Sequence, residues 1–94
     1  MSRGDGRVQR VLLKVLRDHD REATPQDAAC GLDTIELAAR VYFGRGGAVY
    51  HDLLSPGYKV AVRRALAGLA RSGHIIRLGT FPFRDDRCHW RSGL

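Results

Sequence analysis

Among the Cys and His side chains, Cys30, His74, Cys88 and His89 invite a zinc reading. A structural zinc site takes its ligands in pairs at short spacing, such as C-x2-C. Here Cys88 and His89 are adjacent and Cys30 stands alone, so no metal is expected. Cys30 reads instead as a small core residue and Cys88 as a strand residue. His51-Asp52 places a base beside a carboxylate, but no motif ties a Ser or Cys nucleophile to them. Gly44-Arg45-Gly46-Gly47 is glycine-rich yet lacks the GK[ST] ending of a phosphate-binding loop. Neither catalysis nor a cofactor is expected. The remaining chemistry is cationic. Lys59, Arg63 and Arg64 lie in SPGYKVAVRRALAGLARSGHIIRL, from Ser55 to Leu78, and what they offer is recognition of a polyanion.

The bulk composition supports that direction. The 94 residues include 16 basic and 10 acidic side chains, a net charge of +6, and only two of the basic residues are Lys. Arg presents a planar fork that suits phosphates and guanine edges better than the Lys ammonium does. The length fits one small domain, 1–94, with residues 1–5 expected as a disordered tail. Hydrophobic residues make up 44% and charged residues 28%, as in a folded protein. No apolar run approaches the roughly 20 residues of a membrane span, so no membrane partner is expected. MSRGDGRVQR has no apolar stretch of a secretory signal, and two cysteines do not make a disulfide framework. The expected compartment is the cytoplasm, in association with the nucleoid.

The elements that must carry these cations follow from periodicity. Val8, Val11, Leu12, Val15 and Leu16 form the apolar stripe of a helix from Gly6 to His19, with Asp5 as its N-cap and Arg7, Arg10, Lys14 and Arg17 on the other faces. Thr24-Pro25-Gln26-Asp27 starts a short helical turn that Gly31 stops. Asp33-Thr34-Ile35-Glu36 has capping-box spacing and opens a helix to Phe43, closed by Gly44. Its apolar stripe reads Ile35, Ala38, Val41 and Tyr42, with Leu37 beside it. Gly44 to Gly47 is a turn, and Ala48 to Leu54 is either a short helix or an extended approach. Ser55-Pro56 begins the third core helix, 55–72. Tyr58, Val62, Ala65, Leu66 and Leu69 lie within about 80° of its wheel. Ser72-Gly73 ends it. His74 to Leu78 is β-prone, Gly79 to Asp86 is a long turn, and Arg87 to Arg91 returns as an antiparallel strand. Trp90 is expected to pack against Leu78 and the helices.

The pattern VRRALAGLARSGHIIRLG, an Arg-rich helix ended by glycine and followed at once by an aliphatic strand, resembles the third helix and wing entry of winged helix-turn-helix proteins. LDTIELAARVYFG is similar to the second helix of small phage and bacterial members. The chain between Asp20 and Leu32, and the turn from Gly44 to Gly57, are longer than the compact form needs. The resemblance implies an α+β, mainly α fold: three core helices plus a C-terminal β-hairpin wing, 74–91. It also implies sequence-specific double-stranded DNA binding, typically by a transcriptional regulator.

On this reading helix 55–72 enters the major groove, which admits one α-helix. With Val62 at the centre of the buried face, Lys59 and Arg63 sit about 60° and 100° away, and Val60, Arg64, Ala67 and Arg71 lie nearly opposite. Base contacts come mainly from the N-terminal half of such a helix. The candidate DNA-binding residues are therefore Ser55, Gly57, Lys59, Val60, Arg63 and Arg64, with Arg84 and Arg87 from the hairpin. Ala67 and Gly68 leave the later turns smooth. A homodimer would extend specificity over two half-sites. The competing reading is a winged-helix assembly module whose partner is another protein, bound through Phe81 and Phe83 of the hairpin, with Tyr50 and Tyr58 in support. A single-strand or RNA binder using aromatic stacking is the third.

Overall fold

A computed structural model of the chain describes residues 3–79 and 88–93. Five helices and three strands follow in the order α1 (Arg3–Glu22), α2 (Pro25–Cys30), β1 (Leu32–Asp33), α3 (Thr34–Phe43), α4 (Ala48–His51), α5 (Pro56–Arg71), β2 (Ile75–Gly79) and β3 (His89–Ser92). The fold is a small α+β domain, mainly helical, with one antiparallel three-stranded sheet.

Local capping chemistry sets most boundaries. Thr24 caps α2 by accepting the Asp27 N–H at 3.2 Å, with Pro25 as its first residue. The Asp33 carboxylate accepts the Glu36 N–H at 2.8 Å and caps α3. Gly44, left-handed at φ 72°, closes α3 by donating to the Arg40 carbonyl. Ser55 Oγ accepts the Tyr58 N–H at 3.3 Å and caps α5, with Pro56 first. α4 settles the open segment after Gly47 as a single helical turn. α1 departs from expectation by beginning at Arg3 and running to Glu22. Gly4 and Gly6 fall in its first turns, and neither glycine nor proline follows them until Pro25, so nothing stops the helix earlier. Asp5 therefore lies inside the helix and not at its cap.

The core forms where α1, α3 and α5 meet the sheet. Leu12 and Leu16 of α1, Leu37, Ala38 and Ala39 of α3, and Val62, Ala65, Leu66 and Leu69 of α5 are buried. Leu32, Ile75 and Trp90 close the core from the three strands. α3 is buried over a broader face than the Ile35–Ala38–Val41–Tyr42 stripe. Thr34, Leu37, Ala38 and Ala39 are inside, whereas Ile35, Val41 and Tyr42 are only half-buried. Small alanines beside Leu37 let α3 sit close between its neighbours. Cys30 is exposed, contrary to the expected core position, because the one-and-a-half-turn α2 buries no residue. Tyr58 is 41% exposed and not part of the core stripe; its ring instead stacks on Tyr42, with centroids 4.0 Å apart.

The sheet is wider than a hairpin. β3 lies in the middle, antiparallel to both β2 and β1, in the order β1-β3-β2. Leu32 and Arg77 both register with Trp90, which places the indole at the centre of the sheet's core face. Its Nε1 donates to Thr34 Oγ1 at 2.9 Å, and that hydroxyl donates in turn to the Cys88 carbonyl at 3.2 Å. A buried Trp and a buried Thr thus satisfy each other. Gly31 makes the crossing possible. At φ 62°, a Cβ there would collide with the Trp90 carbonyl, so only glycine lets the chain turn so tightly beneath β3. No described helix is long and apolar enough to cross a membrane.

Candidate nucleic-acid interface

α5 has two faces, and packing decides which is free. Val62, Ala65, Leu66 and Leu69 point into the core. On the α1 side, Gln9 Nε2 donates to the Ala65 carbonyl at 3.5 Å, and a Cβ on Gly68 would meet the same nitrogen at 2.6 Å. Gly68 is therefore a close-approach position beneath α1 and not part of a smooth outer surface. The solvent face is formed by Gly57, Val60, Arg63, Arg64, Ala67 and Arg71, all exposed. Val60, Arg64, Ala67 and Arg71 follow one another at i, i+4, i+7 and i+11, a straight line along the helix.

The predicted site residues from Ser55 to Arg64 each have a defined place. Ser55 is exposed, with its hydroxyl engaged in the cap. Gly57 follows it on the first turn. Lys59 is half-buried on the flank, while Val60, Arg63 and Arg64 are solvent-facing. Arg63, Arg64 and Arg71 make no ion pair among the described residues. Arg84 and Arg87, with Phe81 and Phe83, fall outside the described residues.

Two further cations belong to the same region. Arg71 lies at the end of the α5 line, and Arg77 is exposed on β2, which follows directly. The signal for both is a missing charge. From Leu53 to Arg84 the sequence contains no Asp or Glu, but it contains Lys59, Arg63, Arg64, Arg71, Arg77 and Arg84. No other acid-free stretch of the chain is as long. An uninterrupted run of one sign on one helix and its following strand raises the local potential in a way that net charge alone does not.

The glycine turn and α4, ahead of α5, are tied to α3 by a polar cluster that the sequence presents only as a cap. Glu36 reaches forward from α3. Its Oε1 accepts the Gly47 N–H at 2.8 Å and the His51 Nε2–H at 2.8 Å, while Oε2 accepts from Arg40 Nε at 3.3 Å. One carboxylate thus ties α3 to the glycine turn and to α4, shortly before the Ser55 cap. Burial pushes the Glu36 carboxyl up. The hydrogen bonds from His51 and Gly47 and the Arg40 charge outweigh that effect and hold it below its ordinary value of 4.5. Gly46 leaves room for this arrangement, since a Cβ there would overlap the Glu36 carboxylate. Two aromatic contacts brace the same corner: Tyr42 on Tyr58, and Phe43 against Tyr50 at 5.9 Å.

Among the described residues no group of three His, Cys, Asp or Glu side chains gathers as a metal site. An open concavity of about 480 Å³ between the end of α1 and the α3–α4 turn carries Asp18 and Glu22 as well as Arg40 and Arg45, so it concentrates neither sign of charge. Comparisons with protein-family models, curated proteins and solved structures found no significant match.

Proposed function

We propose that this chain is a winged-helix protein that binds double-stranded DNA sequence-specifically, as a transcriptional regulator of the cytoplasm and nucleoid. α5 enters the major groove, and the antiparallel pair β2 and β3 serves as the wing. The observation that carries the reading is the solvent face of α5. A helix capped by Ser55 presents Gly57, Val60, Arg63, Arg64 and Arg71 outward, with no acid from Leu53 to Gly79. The order of three packed helices followed by two strands agrees with what the resemblance implies, and β1 adds a third strand to that sheet. Arg63 and Arg64 are the base-reading candidates, since a bidentate Arg contact to guanine gives about 1–3 kcal/mol of discrimination. Lys59, Arg71 and Arg77 are assigned to phosphates, and a homodimer would read two half-sites.

The experiment is duplex affinity across a salt series. Wild-type protein is expected to bind with a steep log–log slope, and Arg63→Ala plus Arg64→Ala to lose about 1–3 kcal/mol of affinity for each guanine contact removed, across the whole series. Both positions are exposed, so folding should be unaffected. Absence of binding at low salt, or a double variant indistinguishable from wild type, removes the proposal.

A protein-partner reading rests on one observation of its own. Val49 and Leu53, four residues apart at α4, are 73% and 61% exposed. Recovery of a stoichiometric protein partner, abolished by Val49→Ser plus Leu53→Ser and without affinity for duplex, would favour it.

A further inference from the structure

We propose that α1 carries a second DNA-backbone contact surface, separate from α5; this rests on the duplex-binding reading. Arg7, Arg10, Lys14 and Arg17 are all exposed. Their spacing of three, four and three residues places them within about 80° of the α1 wheel, nearly opposite Leu12 and Leu16, which are fully buried in the core. None of the four makes an ion pair among the described residues. No acid interrupts the run; Asp18 follows it and pairs with Arg21. The result is a straight line of four cations about 15 Å long.

The chemistry selects the partner. Each strand of a duplex presents one backbone charge per about 3.4 Å of axis, so a line of cations about 15 Å long matches roughly four phosphates of one strand. A membrane surface fits poorly, because an interfacial helix must insert an apolar face and the apolar face of α1 is already buried in the core. The surface is also distinct from α5. α1 meets α5 through Gln9, on a side of the helix that the cation line does not occupy. Two lines of cations therefore stand on two helices that pack against each other, and the α1 line is assigned sequence-independent hold of the backbone.

The test combines Arg10→Gln, Lys14→Gln and Arg17→Gln, which preserve helix propensity. The triple variant is made in wild type and in the Arg63→Ala plus Arg64→Ala background. Affinity for a long mixed-sequence duplex is measured across a salt series. Removal of three backbone-neutralising charges is expected to reduce the slope by about 2.7 in either background. Arg10→Lys plus Arg17→Lys should retain wild-type affinity, because a phosphate contact needs the charge and not the fork. An unchanged slope in both backgrounds, with the α5 variant still impaired, overturns the α1 surface and leaves the α5 reading standing. Binding to vesicles of anionic lipid in place of duplex overturns it as well. A wild-type protein that binds no duplex at low salt overturns the proposed function itself.

Discussion

Replacing Glu36 by Ala removes the acceptor that holds the corner before α5. Three hydrogen bonds disappear, from Gly47, His51 and Arg40. Bonds to a charged group are worth about 1.5–3 kcal/mol each, but that figure must be reduced here. Gly47 is exposed and Arg40 is half-buried, so water can take over part of both contacts. The Glu36 side chain itself is only 15% exposed, and its closest side-chain partner, His51, is 17% exposed, so that bond keeps most of its value. A net loss of about 2–3 kcal/mol follows. In a domain of this size each kcal/mol shifts Tm by about 4–8 °C, so Glu36→Ala should melt about 10–20 °C lower at neutral pH. The loss has a pH signature. Because the folded carboxyl titrates below its ordinary value of 4.5, its stabilisation is complete above 4.5 and is lost as pH falls through the folded value. The gap in Tm between wild type and Glu36→Ala should therefore be full at pH 7 and narrow below 4.5. Thermal melts of both proteins, from about pH 2.5 to about pH 7, provide the assay. Equal Tm at neutral pH, or a gap of constant size down to the lowest pH, would refute the reasoning.

Further outcomes follow from neighbouring contacts. Gly46→Ala should lower Tm in wild type, because the new methyl group meets the Glu36 carboxylate, and should cost little in the Glu36→Ala background; additive losses would refute the steric account. Trp90→Phe should cost about 2 kcal/mol through the missing bond to Thr34 and the smaller ring, and less when Thr34 is already Val, as read by denaturant unfolding of the four-protein cycle. The Arg63/Arg64 and α1 charge variants should retain wild-type melting curves while weakening duplex binding, which separates recognition from folding.

What the sequence made legible was chiefly what is local. Thr24 with Pro25, Asp33 with Glu36, Gly44, and Ser55 with Pro56 each satisfy or end a helix within three or four residues, and each boundary fell where those residues stand. The solvent face of α5 was legible for the same reason: its wheel alone separates Val62 and Leu66 from Val60 and Arg64. What was not legible is what distant segments supply. β1 is two residues long, and nothing in Leu32-Asp33 announces a strand; its partner lies at Trp90 and His89. Glu36 looked like an ordinary capping residue because its acceptor role depends on donors 11 and 15 residues downstream. Tyr58 matched the apolar stripe by spacing, yet Tyr42 provides a better place for its ring at the surface. The signal for Arg71 and Arg77 lay in absent acids and not in a motif. The hairpin cations Arg84 and Arg87 lie outside the described residues.

The central position of β3 has a kinetic consequence. The strand that joins the other two is also the last in chain order, so the sheet cannot exist in part while the chain is being synthesised. Thr34 and Trp90 are 56 residues apart, and closing a loop of that length costs about 3.6 kcal/mol of chain entropy before any contact rewards it. The helices can assemble early through nearby contacts, with the space for the indole still open to water. Completion then waits for residues 89–92, which recruit β1 and β2 together. Loss of those four residues removes every rung of the sheet at once, and a nascent chain halted after α5 keeps its apolar groove uncovered until translation resumes.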